Sequence, residues 1–388
     1  MATAQATRVR RQSRPLRGGL PRRARRVALV AALVALIPAA VSYLGMALSA
    51  SNTALGVRSV EWLRDNGLAG AVSQVETWYY TLTAPSKGGP GLKALPKVGH
   101  AAVLATRAAA VRAGVRPARV HPMIWPWLAG EGTWRATRSG LGSQPPLLVT
   151  TIRDQPSYPR VVVGLAWINT KRARTTLYAG RLEPAVTLPT RGPMEVPQAS
   201  RGSLLATFNS GFKLSDSLGG YTISGRTYAP MVNGLGTFVG YSSGRVDIVD
   251  WTYGKQAPAG ISYARQNLPL IVENGKPNPT LSTTSSWGVT VGNAILVWRS
   301  GIGIDRHGNL IYAAGNDQTV ISLAQALVRA GAVRAMELDI NSYWVSFITY
   351  GGWNALQPTN LLPDMNRSAT RYLTPDDRDF FAVYLRKR

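Results

Sequence analysis

The sequence predicts an α+β fold: a strand-rich, mixed-sheet domain of catalytic type with few helices, preceded by one N-terminal transmembrane helix. Three observations point there. Residues 27–50 form an uncharged apolar run, short β-type runs punctuated by Gly and Pro begin near Val115, and one strong amphipathic helix pattern stands among them at Val320 to Ala330. With 388 residues and 45% hydrophobic content, the chain can bury a sizeable core.

The apolar run, 24 residues long, exceeds what a hydrocarbon core of about 30 Å requires at about 1.5 Å per residue. Arg22, Arg23, Arg25 and Arg26 abut its start, so the positive-inside bias places residues 1–26 in the cytoplasm as a basic tail and everything after Ala50 outside, on a single-pass plasma-membrane anchor. A cleaved signal peptide is the competing reading, with small residues Ser49 and Ala50 at its end. Residues 51–115 read as a juxtamembrane helical segment and linker. Val57, Val60, Leu63, Leu68, Val72 and Val75 give a helical pattern broken at Gly67 and Gly70, and the stretch 84–97 is rich in Pro, Gly and Lys. Trp78, Tyr79 and Tyr80 suit either a lipid interface or packing on the domain that follows.

The domain at 116–388 is a succession of expected strands. They are Leu147 to Ile152, Arg160 to Ile168, Thr175 to Tyr178, Leu204 to Asn209, Gly236 to Tyr241, Arg245 to Trp251, Val289 to Trp298, Leu310 to Ala313 and Ala335 to Ile340. Between the last two, Val320, Leu323, Ala324, Leu327 and Val328 keep helical spacing, with Thr319 or Asp317 as start cap and Gly331 as stop. No fixed period recurs, which argues against a propeller or solenoid.

The formal net charge of +25 raises the question of nucleic acid, but nine arginines lie within the first 26 residues, leaving 35 basic against 19 acidic residues elsewhere. Without Cys there is no zinc-finger spacing, disulfide framework or thiol nucleophile, and an anionic envelope polymer or lipid surface is the expected partner rather than nucleic acid. Three histidines leave little material for a Ser-His-Asp system or a His-rich metal site. The residues identify no cofactor and leave a metal requirement open. Gly240-Tyr241-Ser242-Ser243-Gly244 fits a nucleophile-elbow pattern, yet a strand pattern follows it where that motif needs a helix, so it reads as a hairpin turn.

Arg334 to Ser342 carries the most chemistry. On a strand, Glu337, Asp339 and Asn341 share one face, with the two carboxylates' Cα atoms about 6.6 Å apart. At that spacing one carboxylate raises the other's proton affinity, a route to an acid and a base; pairing with an Arg at a strand end is the bland alternative. Arg299, next to Gly301 and Gly303 where backbone approaches a ligand, is a candidate for gripping a phosphate bidentately. Asp305 to Asn309 reads as a tight turn, which makes His307 a turn residue. Thr207 to Phe212 ends a strand with Asn209, Ser210 and Gly211, suited to a loop offering amide groups to substrate.

Four segments in this order resemble the phosphodiester glycosidase family: TFNSGF at 207–212, LPLIVENGK at 268–276, RSGIGIDRHGNL at 299–310, and the helix followed by ELDINS at 337–342. The resemblance implies hydrolysis of a sugar-phosphate diester at the glycosidic carbon. It places Asp339 as nucleophile or water-activating base, Glu337 as partner acid or electrostatic aid, Arg299 on the phosphate, and Asn209, Gly211 and Asn341 around the substrate. Where the family continues Leu-Asp with several glycines, this chain has Ile340-Asn341-Ser342-Tyr343-Trp344, and Ser210 replaces a frequent Gly. That departure favours the second functional class, a non-catalytic module of the same fold that binds anionic envelope glycopolymers.

Overall fold

In the computed structural model of this protein the described residues are 22–97, 116–282, 287 and 296–386. The basic tail before Arg22, His100, the end of the expected linker region at 98–115 and the expected strand start at 289–295 lie outside them.

The chain divides into two compact units, one ending at Ser49 and one beginning at Ala50. In the first, α1 (Arg22–Leu48) is uncharged beyond Arg26 and keeps Pro38 within the helix. An 18-residue stretch of it reaches a mean hydropathy of 2.4, and with 27 residues the helix is long and apolar enough to cross a membrane, a test that a signal sequence also passes.

The second unit opens with α2 (Leu55–Leu63), a π-type turn (Arg64–Leu68) and α3 (Ala69–Thr83). Gly67 takes φ +87°, which a residue with a Cβ rarely adopts, and Arg64 is ion-paired with Glu76, so the helices fold back on each other. Neither helix contains a buried residue.

Three antiparallel sheets form the body of this unit. The largest has eight strands in the order β1-β2-β3-β14-β13-β15-β11-β12. They are β1 (Arg135–Ala136), β2 (Leu147–Ile152), β3 (Val163–Ile168), β14 (Leu310–Gln318), β13 (Val297–Asp305), β15 (Ala332–Glu337), β11 (Leu270–Glu273) and β12 (Lys276–Pro277). The second, of five strands, joins β17 (Pro358–Asn360), β16 (Phe347–Tyr350), β5 (Leu204–Asn209), β18 (Phe380–Leu385) and β4 (Ala173–Tyr178). The third joins β7 (Arg226–Ala229), β6 (Tyr221–Ile223), β10 (Ile261–Gln266), β8 (Gly236–Tyr241) and β9 (Val246–Asp250).

Side-chain alternation in the large sheet separates two cores. Trp298, Ile302, Tyr312 and Met336 face the two smaller sheets, whose Phe208, Phe238, Phe347 and Phe381 complete that core. The short α4 (Leu214–Ser217) follows β5, and the opposite face of the large sheet, carrying Leu165, Trp167, Ile311, Ala313 and Ala335, is covered by α5 (Val320–Arg329) through Leu323 and Leu327. Thr319 and Ser322 form a reciprocal capping box at the start of α5, which selects Thr319 over Asp317 as the cap. Gly244, at φ +80°, turns β8 into β9, and Asp305 accepts from the His307 and Asn309 amides in the turn from β13 to β14.

One strand ends earlier than its alternation suggests: β15 stops at Glu337, so Asp339 lies in the loop beyond it rather than on a strand reaching Ile340. The ladder ends because the Asp339 amide donates to the Ser210 carbonyl at 3.1 Å instead of a strand partner, while the Asp339 side chain accepts from the Asn341 amide at 2.9 Å.

Candidate functional site

The register that sets Gly301 opposite Glu337 places Glu337 on the helix-covered face with Ala335. There Arg299 Nη1 donates to Glu337 Oε1 at 2.5 Å and Arg299 Nε donates to the Gln318 carbonyl at 3.1 Å, just before α5. Both side chains are buried. Burial pushes the Glu337 carboxyl up to about 7 even though Arg299 acts to lower it, and Oε2 has no hydrogen-bond partner. The guanidinium expected to grip a phosphate is therefore committed to Glu337 and a carbonyl. The neighbouring glycines make room for the fold rather than a ligand: a Cβ at Gly301 would lie 3.1 Å from Leu327 Cδ1 of α5, and one at Gly303 would lie 2.9 Å from Ala332 Cβ.

Asp339 emerges where β15 releases the chain. Its carbonyl accepts from Ser300 Oγ at 2.7 Å, and its Oδ2 accepts from Arg378 Nη2 at 2.7 Å. Asn209, at the end of β5, is joined to it through Ser300, because Asn209 Nδ2 donates to Ser300 Oγ at 3.0 Å and to the Ser210 carbonyl at 2.9 Å. Asn209 Oδ1 accepts from the Tyr312 hydroxyl at 2.9 Å and the Ser346 amide at 3.1 Å. Both ends of this amide are engaged, so Asn209 is a strut between three strands and not a free donor for sugar hydroxyls.

Gly211 completes the cradle. Its carbonyl accepts from Arg378 Nη2 at 3.2 Å, and a Cβ there would press on Asn267 Cγ at 3.1 Å. Asn267 in turn accepts from the Phe212 amide at 3.3 Å and donates to the Glu337 carbonyl at 2.7 Å, tying the two halves together. Asn341 is half-buried and accepts from the Tyr343 amide at 2.9 Å. Asp339, Asn209, Gly211 and Asn341 thus gather near Arg378, whereas Arg299 and Glu337 pair beneath α5.

The cations around Asp339 come from a segment the sequence reading passed over, Arg367 to Asp379. Arg371 is locked to Asp376 by Nε at 2.8 Å and Nη2 at 3.0 Å, and Arg367 reaches the same carboxylate at 3.4 Å. Burial raises the Asp376 pKa, but Arg371 and Arg367 outweigh it and hold that carboxyl below the usual range. Arg367, Arg371 and Arg378 all lie over the Trp344 ring, at 5.5, 5.2 and 5.1 Å from its centroid. Asp339 differs from Asp376: it is 5% exposed, and burial raises its proton affinity despite the lowering by Arg378. Lys213, two residues beyond Gly211, supplies a further cation on this side. The signal for this cluster was the density of Arg and Asp between Arg367 and Asp379 in an otherwise apolar strand domain. Among the described residues no group of three or more His, Asp or Glu side chains is arranged to hold a metal ion.

No family model and no curated protein matches the chain. Solved structures that are similar to it include the zebrafish N-acetylglucosamine-1-phosphodiester alpha-N-acetylglucosaminidase catalytic domain auto-inhibited by its pro-peptide. That match is 15% identical, covers 66% of this chain and 88% of that chain, and has a TM-score of 0.41. A hypothetical protein from Synechocystis is also 15% identical over 63% of this chain and 64% of that chain, with a TM-score of 0.38. Both relationships are distant.

Proposed function

We propose that the unit from Ala50 onward hydrolyses sugar-phosphate diesters outside the cytoplasm, as a membrane-anchored enzyme that acts on envelope glycans. The observation that carries this reading is the Asp339–Arg378 pair, a carboxylate with raised proton affinity held at 2.7 Å by a guanidinium at the rim of the sheet. A phosphate leaving group needs little protonation, so one carboxylate suffices to attack the anomeric carbon or to activate water. Asp339 takes that role. Arg378, whose bonds to Asp339 and the Gly211 carbonyl both come from Nη2, holds the phosphate through Nη1 and Nε in place of Arg299, and the buried Glu337 acts through its charge state rather than by touching substrate. Gly211 and Asn341 shape the loop walls, and Asn209 fixes Ser300 and with it the Asp339 backbone.

A non-catalytic module binding anionic glycopolymer is the second reading. It is favoured by Trp344, in the segment after Asp339, whose ring serves three guanidiniums. Full-length protein in detergent, assayed on a panel of sugar-1-phosphodiesters, separates the two. The hydrolase reading expects turnover that falls about a hundredfold or more in Asp339→Asn; equal turnover in the variant, or none by either protein, overturns it.

A further inference from the structure

The end of the large sheet away from Asp339 carries a second concentration of charge. A groove of about 470 Å³ opens there, lined by the turns from β3 to β4, β8 to β9 and β13 to β14, by the first residues of β15 and by Arg386 just past β18. Ser300, whose hydroxyl touches the Asp339 carbonyl, and Asp305, on the groove wall, stand five positions apart on β13, about 16 Å at roughly 3.3 Å per residue. Five cationic side chains line the groove, Lys171, Arg245, Arg306, Arg334 and Arg386, against two carboxylates, Asp247 and Asp305.

Neither carboxylate balances this charge. Asp305 is occupied by the amides of its own turn and by Trp167 Nε1, which donates to Oδ2 at 3.1 Å. Asp247 is shared by two guanidiniums, with Arg245 Nη1 donating to Oδ2 at 3.1 Å and Arg334 Nη2 to Oδ1 at 2.5 Å. Lys171, Arg306 and Arg386 enter no ion pair among the described residues, and Lys171 and Arg306 are exposed. Arg386 is anchored by carbonyls instead: its Nε donates to those of Thr170 and Ala173 at 3.0 Å each, and its Nη2 to that of Gly244 at 2.5 Å. Arg334 Nε likewise donates to the Ile248 carbonyl at 2.6 Å, and Arg245 lies 3.9 Å over the Tyr241 ring. A carbonyl accepts a hydrogen bond without neutralising the charge, so the fold fixes these cations near one another and leaves their field unbalanced.

We infer that this groove is a docking site for a base-free anionic polymer whose repeating charge is phosphate, a site separate from either reading of the residues around Asp339. Forked guanidiniums match phosphate oxygens, and several fixed cations side by side favour a chain of anions over a single one because each contact releases counterions from the polymer. Single-stranded nucleic acid is the other polymer of phosphates. Grooves that take it stack its bases on aromatic side chains, and no Phe, Tyr or Trp stands among the described residues that line this one.

The test follows acylation of individual lysines by mass spectrometry in full-length protein in detergent at low salt. Inorganic polyphosphate is the probe, in excess over protein so that the arginine-rich tail does not deplete it. It is expected to slow acylation of Lys171 by about fivefold or more, and that of Lys93 and Lys276, exposed but outside the groove, by less than about twofold. Arg306→Glu, at an exposed turn position, is expected to reduce the protection of Lys171 to less than about twofold, whereas Lys93→Glu, the same reversal of charge elsewhere, should leave it intact. Equal slowing at all three lysines, or protection of Lys171 that survives Arg306→Glu, assigns the effect to net charge and overturns the inference. Equal protection by monomeric phosphate at the same phosphate concentration, or stronger protection by single-stranded DNA, overturns the choice of polymer. Because the readout is binding, an absence of diester turnover bears only on the Asp339 reading.

Discussion

Asp154 shows how a single buried side chain couples stability to pH. It lies at the end of the β2 segment, 4% exposed, with Oδ1 accepting a long bond of 3.4 Å from Gln318 and Oδ2 without a partner. Burial, opposed only weakly by its hydrogen bonds and Arg329, pushes its carboxyl up to about 7 from 3.8. The folded state therefore keeps a proton that the unfolded chain releases near 3.8, so stability falls as pH rises through the window from about 4 to about 7 and is flat above it. At roughly 1.4 kcal/mol per pKa unit the full penalty is about 4 kcal/mol. Asp154→Asn removes the charge but leaves a new amide incompletely bonded, so a net gain of about 2 kcal/mol is expected at pH 8, turning into a net loss of about 1–2 kcal/mol near pH 4, where the linkage penalty has all but vanished. Urea melts of both proteins at the two pH values check this; a gain that is the same at both contradicts the assignment. Glu337 has the same sign, but removing it strands Arg299 in the interior, a loss that typically costs about 3–5 kcal/mol and would mask the effect.

At the scale of elements, the face of the large sheet under α5 is set by small residues. Gly303 lets β13 pass close to β15, where a Cβ would stand 2.9 Å from both Ala332 Cβ and the Arg334 carbonyl oxygen. Because the carbonyl is backbone, the clash cannot be relieved by a rotamer change, and Gly303→Ala is expected to destabilise by about 1–3 kcal/mol. Thr319→Ala, which removes only the cap of α5, is expected to cost about 1 kcal/mol. Thermal melts should rank the two in that order, and Gly303→Ala melting at or above the parent temperature would refute the packing argument. These elements also show what the sequence discloses. The helix was readable to within a residue because its periodicity and its Thr-x-x-Ser cap both lie within a dozen positions, and β2, β5 and β8 were readable because alternation and turn residues agree. The end of β15 was not, since apolar alternation runs on through Ile340 while the ladder is broken by Ser210, far away in the chain. The same distance hid the chemistry: Glu337 meets Arg299 through a register no local pattern encodes, and the Arg378 that holds Asp339 arrives from the start of β18. The two glycines near Arg299 looked like room for a ligand because a missing Cβ carries no label for what fills its space.

For the whole molecule, the distribution of charge argues for a fixed orientation. Nine arginines precede the apolar run and four of them directly flank it, whereas residues 51–65, on its other side, hold only Arg58 and Arg64 against Glu61 and Asp65. Moving the arginine-rich flank across a bilayer is the costlier choice, so the charge pattern predicts a cytoplasmic tail with the unit from Ala50 outside. Anchor and signal peptide share this entry but leave different products. With a different epitope at each end of the full chain, protease added to sealed right-side-out cells should destroy the C-terminal epitope and spare the N-terminal one, which should remain on a membrane-bound fragment until detergent is added. Before protease, an uncleaved α1 predicts both epitopes on one band at full mass. Loss of the N-terminal epitope from the mature band would assign 27–50 to a cleaved leader, and the proposed site would then act free of the membrane; protection of the C-terminal epitope would place Asp339 in the cytoplasm and remove envelope glycans from its reach.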